Sequence, residues 1–240
     1  MNKNLDKSVL VDLRSLANPA KAKILARFFK TGKGEYGEGD LFLGVMVPQQ
    51  RMVAKKYYND ISFFDLSKLL KNKYHEVRLT AILILVEKYQ KANDLERLEI
   101  YNFYWQHVDY INNWDLVDLS APKIVGGFLL DNKKSLFILK NWSNSKNIWI
   151  RRIAVLSTFT FIRQKRSKEI LSLAKILLKD KHDLIQKAVG WMLRELGKTL
   201  GEKILLDFLD QNAKQMPRVM LRYSLEKLSD KQRKFYLSLK

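Results

Sequence analysis

The 240-residue chain carries 44 Lys and Arg against 25 Asp and Glu, a formal net charge of +19, while 47% of its residues are hydrophobic. It has no cysteine, which excludes disulfides, thiolate metal sites, iron–sulfur clusters and a Cys nucleophile. A cationic excess of this size repels itself in the compact state, so it points to a polyanionic partner, nucleic acid or an anionic surface, against the plainer reading of a Lys-rich bias.

The N-terminal Met1–Lys7 stretch has no apolar signal region, and the longest apolar run, from Ala81 to Val86, is too short to span a bilayer. The expectation is a soluble, cytoplasmic protein with no membrane association, folded as a single domain over 1–240.

In chain order, Asn18-Pro19 reads as a helix N-cap with Pro in the first turn, and Pro48 and Pro217 look like the same device. The Gly-rich segment 31–40 lacks both the spacing and the Lys-Ser/Thr pair of a phosphate-binding loop, and is expected to be a mobile loop near the ligand. Residues 64–70, 79–89, 95–104, 153–161, 170–178, 184–196 and 203–209 repeat apolar side chains at three and four. No alternating pattern bounded by hairpin turns occurs, so the fold class is all-α.

Three segments, 70–82, 143–155 and 177–189, superimpose as a polar turn followed by a helix with a basic residue shortly before a small Ala. Asp118-Leu119-Ser120-Ala121 fits the gap, placing Ala81, Ala121, Ala154 and Ala188 at intervals of 40, 33 and 34 residues. That is the period of HEAT-like paired-helix repeats, which stack into a curved α-solenoid with a concave face. A helical bundle with coincidental spacing is the alternative.

The stretch 112–122 departs from generic helix. Trp114 and Asp118 are four apart, hence on one helical face, and Asp118 lies among Leu, Val and Ala. A carboxylate there needs a partner. In the repeat register Asp118, Arg152 and Gln186 fall two or three residues before the Ala and are expected on one shared surface, with Arg152 beside Asp118. Trp149 and Trp191 recur in the same register and, with Trp114, would form an aromatic floor for a sugar or base, although core packing explains any one Trp. Lys30, Lys33, Arg151, Lys181, Lys187 and Arg194 are the candidate phosphate-contacting cations; singly each reads as a solvated charge. His75, His107 and His182 show no metal-ligand spacing, and His75 and His182 occupy matching repeat turns, which makes them structural. Asp115 reads as an acid in the first helical turn, favoured by the helix dipole.

With these residues in place, the chain resembles the AlkD-type DNA alkylation repair family of HEAT-like glycosylases over nearly its whole length. The matching segments are Asn18-Pro19-Ala20-Lys21-Ala22, Leu41-Phe42-Leu43-Gly44-Val45, Trp114-Asp115-Leu116-Val117-Asp118, Asn147 to Arg152, and Gln186-Lys187-Ala188-Val189-Gly190-Trp191. The resemblance implies hydrolysis of the N-glycosidic bond of N3- and N7-alkylated purines in duplex DNA, by a monomer, with no cofactor and no metal. It also implies that Asp118 is the catalytic carboxylate, Arg152 its partner, Trp114 and Trp191 the aromatics flanking the deoxyribose, and Phe28 an aromatic near DNA. Asn113, where relatives can hold an aromatic, and the Gly-rich segment are departures. The rival readings are a non-catalytic HEAT scaffold for nucleic acid and a scaffold for an acidic protein.

Overall fold

A computed structural model describes residues 4–239, and among them the regular structure is helical. The chain packs as two compact units divided between Ser120 and Ala121. The first holds α1 (Leu5–Ser15), α2 (Pro19–Phe28), α3 (Val47–Tyr57), α4 (Phe63–Leu70), α5 (His75–Lys91), α6 (Asp94–Gln106) and α7 (Trp114–Ser120). The second begins with a π-helical segment, Pro122–Gly126, that runs into the single turn α8 (Gly127–Leu129). It continues with α9 (Ser135–Ser143), α10 (Ile148–Arg163), α11 (Lys168–Leu177), α12 (Asp183–Leu200), α13 (Glu202–Asn212), α14 (Arg218–Leu225) and α15 (Asp230–Ser238).

Every apolar run singled out by periodicity falls on a helix, and the architecture is that of helical repeats. The four register alanines are fully buried. Helices start at His75, Trp114, Ile148 and Asp183, close to a constant distance ahead of Ala81, Ala121, Ala154 and Ala188. A methyl at this place lets the next helix approach, and glycines extend the device. A Cβ on Gly126 would sit 2.5 Å from the Ser157 carbonyl oxygen, and one on Gly190 would sit 2.4 Å from that of Met220.

Capping follows local chemistry. The Asn18 side chain accepts from the Lys21 N–H ahead of Pro19, as expected. Pro48 also lies in the first turn of its helix. Pro217 differs, because it is the N-cap residue of α14, with φ −53° and ψ 140°. Pro's fixed φ suits either place.

The segment between α2 and α3 is built of turns. Residues 31–40 form hydrogen-bonded turns: the Glu35 carboxylate accepts from the Gly32 N–H, that of Glu38 from the Gly34 N–H, and the Lys30 carbonyl from the Gly37 N–H. Leu41 then makes an isolated parallel bridge to Tyr74. Beyond it, the buried Glu76 carboxylate accepts the N–H groups of Leu43 at 2.9 Å, Gly44 at 2.7 Å and Val45 at 3.3 Å. Three N–H donors on one carboxylate satisfy a buried charge without a cation. The chain there requires glycine: Gly44 has φ +83°, and a Cβ would lie 2.0 Å from the Asn18 carbonyl oxygen.

Gly44→Ala is therefore expected to lower unfolding stability by more than about 2 kcal/mol, combining a strained φ with a backbone clash. Urea denaturation of the variant beside the parent measures it.

Candidate nucleic-acid interface and candidate active site

α7 carries the candidate chemistry in the first unit. Leu116, Val117, Asp115 and Ser120 are buried, whereas Trp114 and Asp118 are half-buried. The spacing of four thus puts these two on the helix's accessible face. Asp118 lies close enough to buried Tyr104 to act on it. Burial first, and then the Asp118 charge, push the Tyr104 hydroxyl pKa up, against the lowering effect of its hydrogen bond to Ser120 at 3.0 Å.

Trp114 is held by a series of rings. It stacks on Phe29 at 5.1 Å and 9°; Phe29 stacks on Phe42 at 5.2 Å, and Phe42 on His75 at 4.9 Å. Phe28, 61% exposed, meets Trp114 edge-on at 5.8 Å. Consecutive Phe28 and Phe29 thus divide the work. One is buried under the Trp, and the other stands in solvent beside it. Offset and edge contacts of this kind add stability beyond area burial.

Beneath the rings lies an ion cluster that the sequence did not show. The His75 Nε2 is 2.8 Å from an Asp115 oxygen, and its Nδ1 is 3.0 Å from an Asp40 oxygen. Arg78 donates to both Asp40 oxygens, at 2.8 and 2.9 Å. The Asn113 amide donates to Asp40 at 3.3 Å, and its oxygen accepts the Trp114 N–H at 2.8 Å. His75 is 1% exposed. Burial alone would push it toward neutrality, but the Asp115 charge, with hydrogen bonds to Asp115 and Asp40, outweighs burial and raises its pKa to about 9. Asp40 moves the opposite way: burial would raise it, and His75 and Arg78 together hold it below its ordinary value.

The cluster adds to three expectations. Asp115 stands in the first turn of α7 as expected, and it is also buried and paired with His75. The Gly-rich segment ends in Asp40, whose side chain is locked into the cluster. His75 and His182 are bonded within the fold in different ways: His75 joins the cluster, and the His182 Nδ1 caps α12 by accepting the Leu184 N–H at 3.2 Å. A signal for the His75–Asp115 pair was nonetheless present. Both residues stand six before their register Ala, so successive repeats bring together a base and an acid at one place.

The cluster is a support and not a base pocket. The cavity behind the rings, lined by Phe29, Phe42, Gln50, His75 and Asp115 among others, measures about 40 Å³, enough for one water. A larger hollow of about 310 Å³ in the same unit, lined by Tyr58, Phe63, Lys88 and Lys91, contains none of the expected site residues.

In the second unit, Arg152 is 5% exposed and donates to the Leu184 carbonyl. Trp191 on α12 is half-buried, while Trp149, 9% exposed, packs in the core and does not offer an open face. Gln186 turns its amide to the Asp180 carbonyl at 2.9 Å. Several expected phosphate-contacting cations are engaged internally. Arg151 donates to Asp180 at 2.8 Å and to the carbonyls of Ser145 and Lys146. Lys187 pairs with Asp183, and Arg194 with Glu195 and Glu226. Lys30, Lys33 and Lys181 are exposed. α2 buries no residue fully and adds exposed Lys21, Lys23 and Arg27 to the first unit's basic surface. Among the described residues no group of three potential ligands could hold a metal, and no helix is long and apolar enough to cross a membrane.

The sign of the His75 shift defines a stability window. Its folded pKa, about 9, exceeds the ordinary 6.5, so its stabilisation is complete below 6.5 and is lost as pH rises through 9. A shift of that size corresponds to about 3 kcal/mol. Thermal unfolding is expected to weaken across that interval in the parent and to be nearly flat there in His75→Gln. Arg151→Ala should cost about 1–3 kcal/mol of stability through the loss of charge-assisted bonds, while Lys181→Ala should cost none measurable. Parallel denaturation curves of the two variants check this.

A family model described as "DNA alkylation repair enzyme" matches residues 9–228. A solved structure from Enterococcus faecalis, described as a predicted DNA alkylation repair enzyme, superimposes with a TM-score of 0.69 at 18% identity, covering 89% of this chain and 97% of that one. At that identity the likeness concerns the fold alone. A search of curated proteins finds no match.

Proposed function

The chain belongs to the DNA alkylation repair enzyme family, and on that premise we propose that it hydrolyses the N-glycosidic bond of cationic N3- and N7-alkylated purines in duplex DNA. The observation that carries this reading is the pairing of Asp118 with Trp114 on the accessible face of α7, the Trp held in place from behind by Phe29.

The chemistry asks little of the protein. An alkylated purine carries a positive charge and departs as a neutral base, so no general acid is needed and the second carboxylate of an ordinary glycosidase is dispensable. The barrier lies in the oxocarbenium-like sugar. A carboxylate near C1′ stabilises that charge and orients the attacking water, and Asp118 is the group for both tasks. The Trp114 face adds attraction to the cationic sugar. The small cavity behind the rings fits this scheme, since it has no room to receive a rotated base.

From the second unit, Trp191 serves as a further ring against the deoxyribose. Arg152 is the cation proposed from that unit. Phe28 meets the duplex beside Trp114. Lys30, Lys33 and Lys181, which are exposed, take phosphates. For Arg151, Lys187 and Arg194, a phosphate contact would have to compete with the ion pairs they already make. The net charge of +19 supports a backbone-dominated, salt-sensitive interaction.

The test is release of base from duplex DNA containing N7-methylguanine or N3-methyladenine, quantified by chromatography. The parent should release base, and Asp118→Asn should lose at least about 100-fold in rate while retaining duplex binding. Affinity should fall steeply between 50 and 200 mM salt, by orders of magnitude if about six phosphates are contacted. No release from either substrate, with binding intact, would leave the non-catalytic scaffold as the function. Full activity in Asp118→Asn would assign the chemistry to another carboxylate.

A further inference from the structure

The catalytic scheme leaves unused the ion cluster beneath Trp114. We propose that His75, clamped between Asp40 and Asp115, is a positioning residue that sets the first turn of α7 and, through it, the Trp114 ring and the Asp118 carboxylate. The service to catalysis rests on the glycosylase function proposed above; the coupling itself rests on geometry.

Two routes connect His75 to Trp114. The first is polar. Asp115 follows Trp114 directly, and one of its oxygens meets the His75 Nε2 at 2.8 Å while the other accepts the Leu116 N–H at 2.8 Å. Asn113 precedes Trp114, accepts its N–H, and hangs on the same Asp40 carboxylate that takes His75 and Arg78. Both neighbours of Trp114 are thus tied to one imidazole, one directly and one through Asp40. The second route is through rings: Phe29 lies 4.7 Å from the imidazole and 5.1 Å from the indole. A chain of packed groups with hydrogen bonds at its ends can carry a displacement in a dense interior.

The charges facing His75 set its state. Asp40 comes from the loop, Asp115 from α7, and Arg78 and Glu76 from its own helix, with Phe29 of α2 and Phe42 adding ring faces. Glu76 is answered separately by its three backbone donors. With a doubly protonated imidazole, two carboxylates balance two cations, and both ring nitrogens donate. Loss of one proton leaves a net buried negative charge and turns a nitrogen lone pair toward a carboxylate oxygen. The relief open to the cluster is to separate Asp40 from Asp115, which shifts Asn113 and the start of α7. A near-attack geometry tolerates little of that.

The test uses the full chain with 5-fluorotryptophan incorporated, the Trp114 resonance assigned through Trp114→Phe, and single-turnover release of N7-methylguanine from duplex DNA between about pH 6 and 10. The Trp114 resonance and the release rate should change together with a midpoint near 9, the value expected for His75. His75→Gln should abolish that titration and cut the rate at neutral pH by about tenfold or more, with duplex affinity within about threefold of the parent. A Trp114 resonance that stays flat through the interval in the parent overturns the inference, as does a His75→Gln protein with the parental rate. If the parent releases no base, the glycosylase reading fails, and the fluorine titration of the parent still decides the positioning role.

Discussion

An imidazolium buried between two carboxylates is a demanding arrangement, because each charge is tolerable only while the others stay in place. In the first unit that constraint joins four parts of the chain. Asp40 ends the Gly-rich turns, His75 and Arg78 begin α5, and Asp115 begins α7. Phe29, closing α2, lies against the imidazole. The Gly-rich segment acquires a purpose from this: its turns deliver a carboxylate to a histidine. Glu76, one residue further along α5, accepts three N–H groups of Leu43–Val45, so the His75 backbone N–H, donated to the Leu41 carbonyl, and the Glu76 carboxylate pin both ends of Leu41–Val45.

One register position does the same work in the two units. Arg78 and Arg151 each stand three residues before the buried Ala, and each is bound to an aspartate: Arg78 to Asp40, Arg151 to Asp180. Charge at that position is therefore largely consumed inside the fold. Exposed cations include Lys21, Lys23 and Arg27 of α2 together with Lys30, Lys33 and Lys181 of the turns. A net charge of +19 is a property of the whole chain; which cations face solvent depends on the acids nearby. Counting basic residues overstates the cations that face solvent for that reason.

Along the short helix α7 the buried contacts and the proposed site residues fall on different sides. Its buried side carries Asp115, Leu116, Val117 and Ser120, and its half-open side carries Trp114 and Asp118. The cavity beyond Phe29 holds about one water, so the ring stack has no large void behind it. A rigid aromatic surface of this kind suits a reaction whose leaving group is already activated by its own charge. What such a reaction needs is a fixed electrostatic environment, and rigidity supplies it without reorganisation.

Much of this was legible in the residues. Apolar spacing located the helices, Ala81, Ala121, Ala154 and Ala188 marked the repeat, and the interval of four placed Trp114 and Asp118 on one face, because helical geometry is local. Asn18 and Pro19 announced the start of α2 for the same reason. The partners of Asp40, Asp115 and Arg151, the burial of Trp149, and the stacking of Trp114 on Phe29 were decided only by tertiary structure. Their partners lie tens of residues away, and a side chain's charge state and exposure depend on what the fold brings against it. His75 marks the boundary between the two. Its place in the repeat could be read from sequence, but its being an imidazolium follows from two carboxylates meeting it in the folded chain.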